Sequence, residues 1–96
     1  MKMRIGLAQM NSRDSKKENL LSAETLIRKL AGSGAELVML PEHFDFIGPD
    51  HEKPGQAESI DNSVTLEMIR KIASDLAIYI HIGSFLERDG DKLFNT

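Results

Sequence analysis

Short apolar runs alternate in this chain with stretches whose apolar residues recur every three or four positions. Met3 to Met10 is the first run. Its alternation sets Ile5 and Leu7 on one face of a predicted strand and Gly6 and Ala8 on the other. Arg13 to Leu30 then takes helical spacing, with Leu20, Ala23, Ile27 and Leu30 on one face. Ser15-Lys16-Lys17-Glu18 fits a capping box, in which the serine caps a backbone N–H and the glutamate reaches back. Gly32 and Gly34 offer the left-handed backbone that commonly ends a helix. Leu37-Val38-Met39-Leu40 is a second strand, apolar at consecutive positions, which implies burial on both faces. Pro41 ends it. Val64 to Leu76 reads as a second helix with Ser63 as N-cap. Ile69, Ile72, Ala73 and Leu76 share its inner face, and Glu67 and Lys71 form an outer i,i+4 pair. Ala77 to Phe85 is a predicted third strand. Asp89-Gly90 signals a hairpin, and Lys92 to Thr96 begins a fourth strand.

The resulting order, β-α-β-α-β-β, implies right-handed crossovers and at least three mostly parallel strands. With strand order running one way, both helices cover the same face. The other face is then bare although its residues are apolar, so more chain or another subunit is expected to cover it. The end of the sequence inside a strand favours more chain. Residues 41–62 form a long connection, broken at Pro41, Gly48-Pro49 and Pro54-Gly55 and rich in acids: Glu42, Asp45, Asp50, Glu52, Glu58 and Asp61. A loop that long in a small domain is more often functional than a linker.

Composition narrows the function. Of 96 residues, 41% are hydrophobic and 28% charged, an ordinary globular balance. A net charge of −3 does not favour nucleic acid or an anionic membrane as partner. No apolar run approaches the length of a bilayer span. The N-terminus lacks the apolar stretch of a signal peptide, so a cytoplasmic protein is expected. There is no cysteine. Disulfides, zinc–thiolate sites and a thiol nucleophile are therefore excluded within these residues.

Glu42 directly follows the second strand, in Leu40-Pro41-Glu42-His43-Phe44. Sites in open α/β sheets form just past the carboxyl ends of strands. Flanked by Pro41, Phe44 and Phe46, this acid is expected to be partly desolvated and able to act as a general base; the plainer reading is a surface glutamate. His43, Asp45, Asp50 and His51 have types that suit Zn or Mn. Their spacing matches no ligand motif, so they are expected to be solvated loop residues, with no metal and no cofactor. His81, in Ile80-His81-Ile82, reads as a core or interface histidine. Gly6, Gly34 and Gly83 do not make a dinucleotide or phosphate-binding loop. No basic and aromatic patch suggests RNA or DNA binding.

Four segments together resemble the N-terminal portion of the carbon–nitrogen hydrolase (nitrilase) superfamily. They are Ile5-Gly6-Leu7-Ala8-Gln9-Met10, Gly34 to Glu42, Ile82-Gly83-Ser84 and Leu93-Phe94-Asn95-Thr96. The stretch Pro41 to Gly48 looks most like amidase-type branches acting on ω-amides or deaminated glutathione. The resemblance implies a four-layer αββα sandwich, of which residues 1–96 would be the N-terminal part. It also implies a Glu–Lys–Cys triad acting on a small amide or nitrile. Separately, the bare apolar sheet face leads to the expectation of a homo-oligomer. Glu42 matches the catalytic glutamate; the lysine and cysteine motifs would lie beyond Thr96. The competing reading is a standalone, non-catalytic α/β binding or assembly module on the same scaffold.

Without a thiol, these residues alone are expected to hydrolyse no amide or nitrile. Ammonia release from simple ω-amides should stay at background. Turnover that disappears on Glu42→Ala would reverse this expectation, because it would require a mechanism without cysteine.

Overall fold

Parallel pairing between three short strands organises the chain. In the computed structural model, which describes residues 2–96, β1 (Ile5–Leu7), β2 (Leu37–Leu40) and β3 (Tyr79–Ile82) form a sheet in the order β1-β2-β3. Ile5 pairs with Leu37 and Leu37 with Tyr79; two residues on, Leu7, Met39 and His81 align in the same way. The crossovers are α1 (Lys16–Gly32) and α3 (Val64–Leu76), which also touch each other. Between them the chain makes a 3-10 turn at Asp50–Glu52 and a single-turn helix α2 (Lys53–Gln56), so the 41–62 connection is not structureless. None of these helices is long and apolar enough to cross a membrane.

Both long helices pack on one face, as expected. Ala23 and Ile27 of α1 and Ile69 and Ile72 of α3 are buried against Ala8, Val38 and Leu40. Gly6 lies on this same face because its neighbours in the strand point the other way. A Cβ at Gly6 would stand 3.1 Å from the Cβ atoms of both Leu30 and Ala35. Glycine therefore lets the end of α1 approach β1. On the opposite face, Ile5 is 54% exposed, Leu7 71% and Tyr79 71%. That face is largely apolar and uncovered among the described residues.

The caps follow the sequence with differences. Ser15 Oγ accepts from Glu18 N–H at 3.3 Å and Ser63 Oγ from Leu66 N–H at 3.0 Å. Of the two glycines at the end of α1, Gly32 is its last helical residue, and only Gly34, beyond it, takes a positive φ, +101°. Ala77 does not start a strand; it is the left-handed C-cap of α3, φ 53°. On the surface of α3, Lys71 pairs with Asp75 at 3.0 Å and Glu67 with Arg70 at 4.0 Å, in place of a Glu67–Lys71 pair.

The predicted third strand, Ala77 to Phe85, is also corrected at its far end. β3 stops at Ile82, and the chain leaves the sheet at Gly83-Ser84. The Ser84 carbonyl accepts from Phe44 N–H at 3.3 Å, so it is diverted to the loop after β2. Beyond it, β4 (Leu86–Asp89) and β5 (Lys92–Asn95) form a separate antiparallel hairpin, turned at Gly90 with φ +64°.

Gly6→Val should destabilise the fold by about 1–3 kcal/mol, the usual cost of overpacking. Gly32 has no atom within 4 Å of a built Cβ, and Gly32→Ala should stabilise by about 0.4–1 kcal/mol through the unfolded state. Thermal melting of both variants checks the contrast.

Candidate active site

Glu42 emerges at the carboxyl end of β2, the middle strand of the sheet. Pro41 cannot donate a backbone hydrogen bond, and His43 follows with φ 53°, so the chain reverses there. The Glu42 side chain is left 71% exposed. Its Oε2 accepts from Asn95 Nδ2 at 3.3 Å and lies 3.9 Å from His43 Nε2. His43 N–H donates to Ser84 Oγ at 3.2 Å, and the Ser84 hydroxyl in turn contacts Asn95 Oδ1. Three segments distant in sequence thus meet at the end of the sheet: the loop after β2, the link after β3, and the end of β5.

The residues after His43 turn inward. Phe44 and Asp45 are fully buried and Phe46 is 3% exposed. Phe44 joins the core with Val38, Leu40 and Phe85. The expected desolvation of Glu42 by the two phenylalanines is therefore corrected: both turn inward and anchor the loop from beneath, and the glutamate stays exposed. The Phe46 ring packs over Gly48, where a Cβ would meet ring Cζ at 2.6 Å. A small open cleft of about 150 Å³ lies beside them, lined by His43, Phe46, Ile47, Gly48 and Lys53.

Asp45 corrects a second expectation, that it is a solvated loop acid. Its Oδ2 accepts from Leu86 N–H at 3.0 Å, and its carbonyl accepts from Asn19 Nδ2 at 2.8 Å. Its Oδ1 is buried without a hydrogen-bond partner among the described residues. Burial raises the proton affinity of this carboxyl above its ordinary value, against the opposing effect of the Leu86 N–H. Asn19 Oδ1 also accepts from Arg13 N–H at 3.0 Å, so this asparagine ties the segment before α1 and the first turn of α1 to the loop after β2. Sequence reasoning passed over it. The signal was present, because Asn19 falls four residues before Ala23 and eight before Ile27, on the buried stripe.

Glu58 was likewise read only as a loop acid. It forms an ion pair with Lys16 at 2.6 Å and accepts from Ser63 Oγ at 2.5 Å, Thr65 N–H at 2.9 Å and Thr65 Oγ1 at 2.6 Å. Burial pushes its pKa up, but these donors outweigh that and hold it at about 2. Glu58 thus joins the start of α1 to the start of α3. Its backbone also bonds to β4, through Leu86 O and Arg88 N–H.

The remaining candidates do not converge. Asp45 lies beneath the loop, while Asp50 and His51 are exposed on the 3-10 turn. Among the described residues no group of three His, Cys, Asp or Glu side chains is placed to hold a metal ion. His81 is exposed on the uncovered sheet face, not in the core.

An αβ layer of this topology, with an acid at the carboxyl end of its central strand, agrees with a family match. The carbon-nitrogen hydrolase family model matches residues 4–96, and the chain belongs to that family. Among curated relatives, it is 37% identical to the chloroplastic omega-amidase of Arabidopsis thaliana, over 99% of this chain and 27% of that protein. It is 38% identical to the deaminated glutathione amidase of Synechocystis sp., over 92% of this chain and 33% of that protein. The chain therefore spans about a third or less of the length of these relatives. Its fold superposes on the crystal structure of Saccharomyces cerevisiae Nit3, a member of branch 10 of the nitrilase superfamily. The TM-score is 0.85 at 24% identity, covering 97% of this chain and 37% of that one. The layer described above is accordingly an N-terminal part of the αββα fold.

Two acid titrations of opposite sign follow. Glu58 is depressed in the fold from 4.5 to about 2, so its contribution is present above pH 4.5 and lost as pH falls toward 2. Asp45 is raised above 3.8, so its contribution is present below pH 3.8 and lost as pH rises through its folded value. Melting temperature measured between pH 2 and 6 should show a steeper acid loss in Asp45→Asn, and a shallower one in Glu58→Gln, than in the parent. Separately, Asp45→Ala strips the buried Leu86 N–H of its acceptor, for an expected cost of about 1–3 kcal/mol.

Proposed function

We propose that the complete protein to which these residues belong hydrolyses the carbon–nitrogen bond of a small amide, with Glu42 as general base. The observation that carries this is the placement of the Glu42 carboxylate. It stands at the carboxyl end of the central strand, tethered through Oε2 to Asn95 and otherwise open. The omega-amidase names among the curated relatives favour an ω-amide, the terminal amide of a short carboxylic acid, as the substrate class.

The chemistry needs a thiol and an oxyanion donor from residues outside this sequence, which has no cysteine. Glu42 takes the thiol proton. The thiolate then attacks the amide carbon, and the negative charge that develops on oxygen is met by a lysine ammonium. The C–N bond breaks as Glu42 returns the proton to the departing nitrogen, releasing ammonia. Water, deprotonated by Glu42, attacks the thioester; the C–S bond breaks, Glu42 gives that proton to the departing sulfur, and the carboxylic acid leaves with thiol and carboxylate restored. Throughout this cycle the glutamate must reach both the sulfur and the leaving nitrogen. A carboxylate fixed at one oxygen and free at the other suits that demand. The exposed sheet face carrying Ile5, Leu7 and Tyr79 supports the further reading that another layer, from the same chain or from a second copy, closes over the sheet.

Glu42→Gln in the complete protein should lower turnover by about 10²- to 10⁴-fold, the scale for loss of a positioned base, with thermal melting unchanged. Glu52→Gln, on the exposed 3-10 turn, is the control; Asp45→Asn cannot serve as one because Asp45 is buried. If Glu42→Gln and Glu52→Gln turn over alike, Glu42 is a solvated loop acid and the kinship with the hydrolases extends to fold alone.

A further inference from the structure

A ring of hydrogen bonds begins and ends on adjacent residues. His43 N–H donates to Ser84 Oγ at 3.2 Å. The Ser84 hydroxyl bonds Asn95 Oδ1, and Asn95 Nδ2 reaches Glu42 Oε2 at 3.3 Å. The donors in this ring can be arranged in only one way. An ionised carboxylate accepts only, so the amide nitrogen of Asn95 must face Glu42. That leaves Asn95 Oδ1 to accept, so the Ser84 hydroxyl must donate to it. The lone pairs of Ser84 Oγ are then free for the His43 N–H. Every bond runs in one sense from the main chain at residue 43 to the side chain at residue 42, an arrangement in which each bond polarises the next.

The members of the ring are held independently of Glu42. Ser84 is 7% exposed and its carbonyl accepts from Phe44 N–H at 3.3 Å. Asn95 pairs with Leu86 in the β4–β5 ladder, and the next pair, Phe85 with Thr96, closes at 2.7 and 3.0 Å. His43 keeps a left-handed backbone, φ 53°, unusual for a residue with a side chain. Its N–H bond to Ser84 is one of the constraints that maintain that turn. Asn95 therefore presents its amide to Glu42 from a strand end whose position the hairpin sets.

We propose that Asn95, itself seated by Ser84, is a positioning residue for Glu42, holding Oε2 so that Oε1 faces the reacting atoms. This rests on the reading of Glu42 as general base. His43 Nε2, 3.9 Å from Oε2, is the titratable neighbour on the loop itself. Asn95 supplies the neutral donor from the hairpin.

The test uses the complete protein, with ammonia release from an ω-monoamide of a short dicarboxylic acid as the assay. Asn95→Ala removes the donor. Asn95→Asp keeps an oxygen for Ser84 but sets a second carboxylate against Glu42. Each should lower kcat by about 10- to 100-fold, the scale for misplacing a catalytic group, with KM nearly unchanged and melting retained. Asn95→Asp should also move the acid limb of the pH–rate profile to higher pH, because paired carboxylates disfavour ionisation. In the Glu42→Gln background both substitutions should have almost no further effect, since residues acting as one unit are not additive. An unchanged kcat in Asn95→Ala and Asn95→Asp, with Glu42→Gln impaired, overturns the positioning role alone. Equal losses in both backgrounds also overturn it, because the role is then merely structural. If Glu42→Gln itself is fully active, the base assignment falls first and the positioning role falls with it.

Discussion

Burial of Phe44, Asp45 and Phe46 is the constraint on which the carboxyl edge of the sheet depends. A strand that ends at a proline could release its loop into solvent. Here the loop is drawn back at once, because two large apolar side chains must leave water: Phe44 enters the core with Val38 and Phe85, and Phe46 is buried over Gly48. That inward turn requires a reversal at His43 and leaves Glu42 on the outside of the bend. It also carries backbone polar groups into the interior, where they need partners. Ser12 Oγ donates to Phe44 O at 2.7 Å, Asn19 to Asp45 O, and Phe44 N–H donates to Ser84 O. Each partner belongs to a different segment. Satisfying one buried tripeptide thus gathers the loop after β1, the start of α1 and the link after β3.

A buried acid, Asp45, and a half-buried one, Glu58, show how similar side chains take opposite proton affinities. Glu58 meets an ammonium, two hydroxyls and a backbone N–H, enough donors to outweigh its lost hydration. Asp45 meets one backbone N–H at Oδ2 and, among the described residues, no donor at Oδ1, so desolvation prevails. The difference lies in the number of donors delivered. Glu58 sits where two helices begin, and helix starts are rich in unpaired N–H groups and capping hydroxyls. Asp45 sits beneath a turn, where the backbone offers fewer. Both nonetheless bind β4, Asp45 through Leu86 N–H and Glu58 through Leu86 O and Arg88 N–H. The hairpin is therefore fastened to the main layer by the two acids, and its far end brings Asn95 to Glu42.

The sheet carries its helices on one face only. Helices α1 and α3 fall on one face because parallel strands taken in sequential order, with crossovers of one hand, put them there. The opposite face then presents Ile5, Leu7, Leu37, Met39, Tyr79 and His81 in two aligned rows. Alternation along each strand makes these rows inevitable once the register is set. This geometry is that of an outer helical layer on one sheet of an αββα sandwich, the fold shared with the nitrilase-superfamily structure.

Much of this was legible in the residues. The strands at Ile5 and Leu37, the two long helices, their Ser15 and Ser63 caps and the single-sided packing follow from periodicity and local chemistry, which act within a few residues. The same holds for the position of Glu42, because a proline after an apolar strand marks an edge wherever the strand lies. What the residues could not reveal were the contacts between segments tens of positions apart. Asp45 looked like any loop acid, and its burial depends on Asn19 and Leu86. Phe44 and Phe46 are apolar in any context, but whether they wall a pocket or plug the core depends on the direction of the turn at His43. The third strand read as continuous through Phe85 because its composition suits a strand. It breaks because Ser84 is bonded to the loop after β2 instead of to a neighbouring strand. Local preference chose the elements; the need to pair buried polar groups across the fold chose where they stop and which side chains meet Glu42.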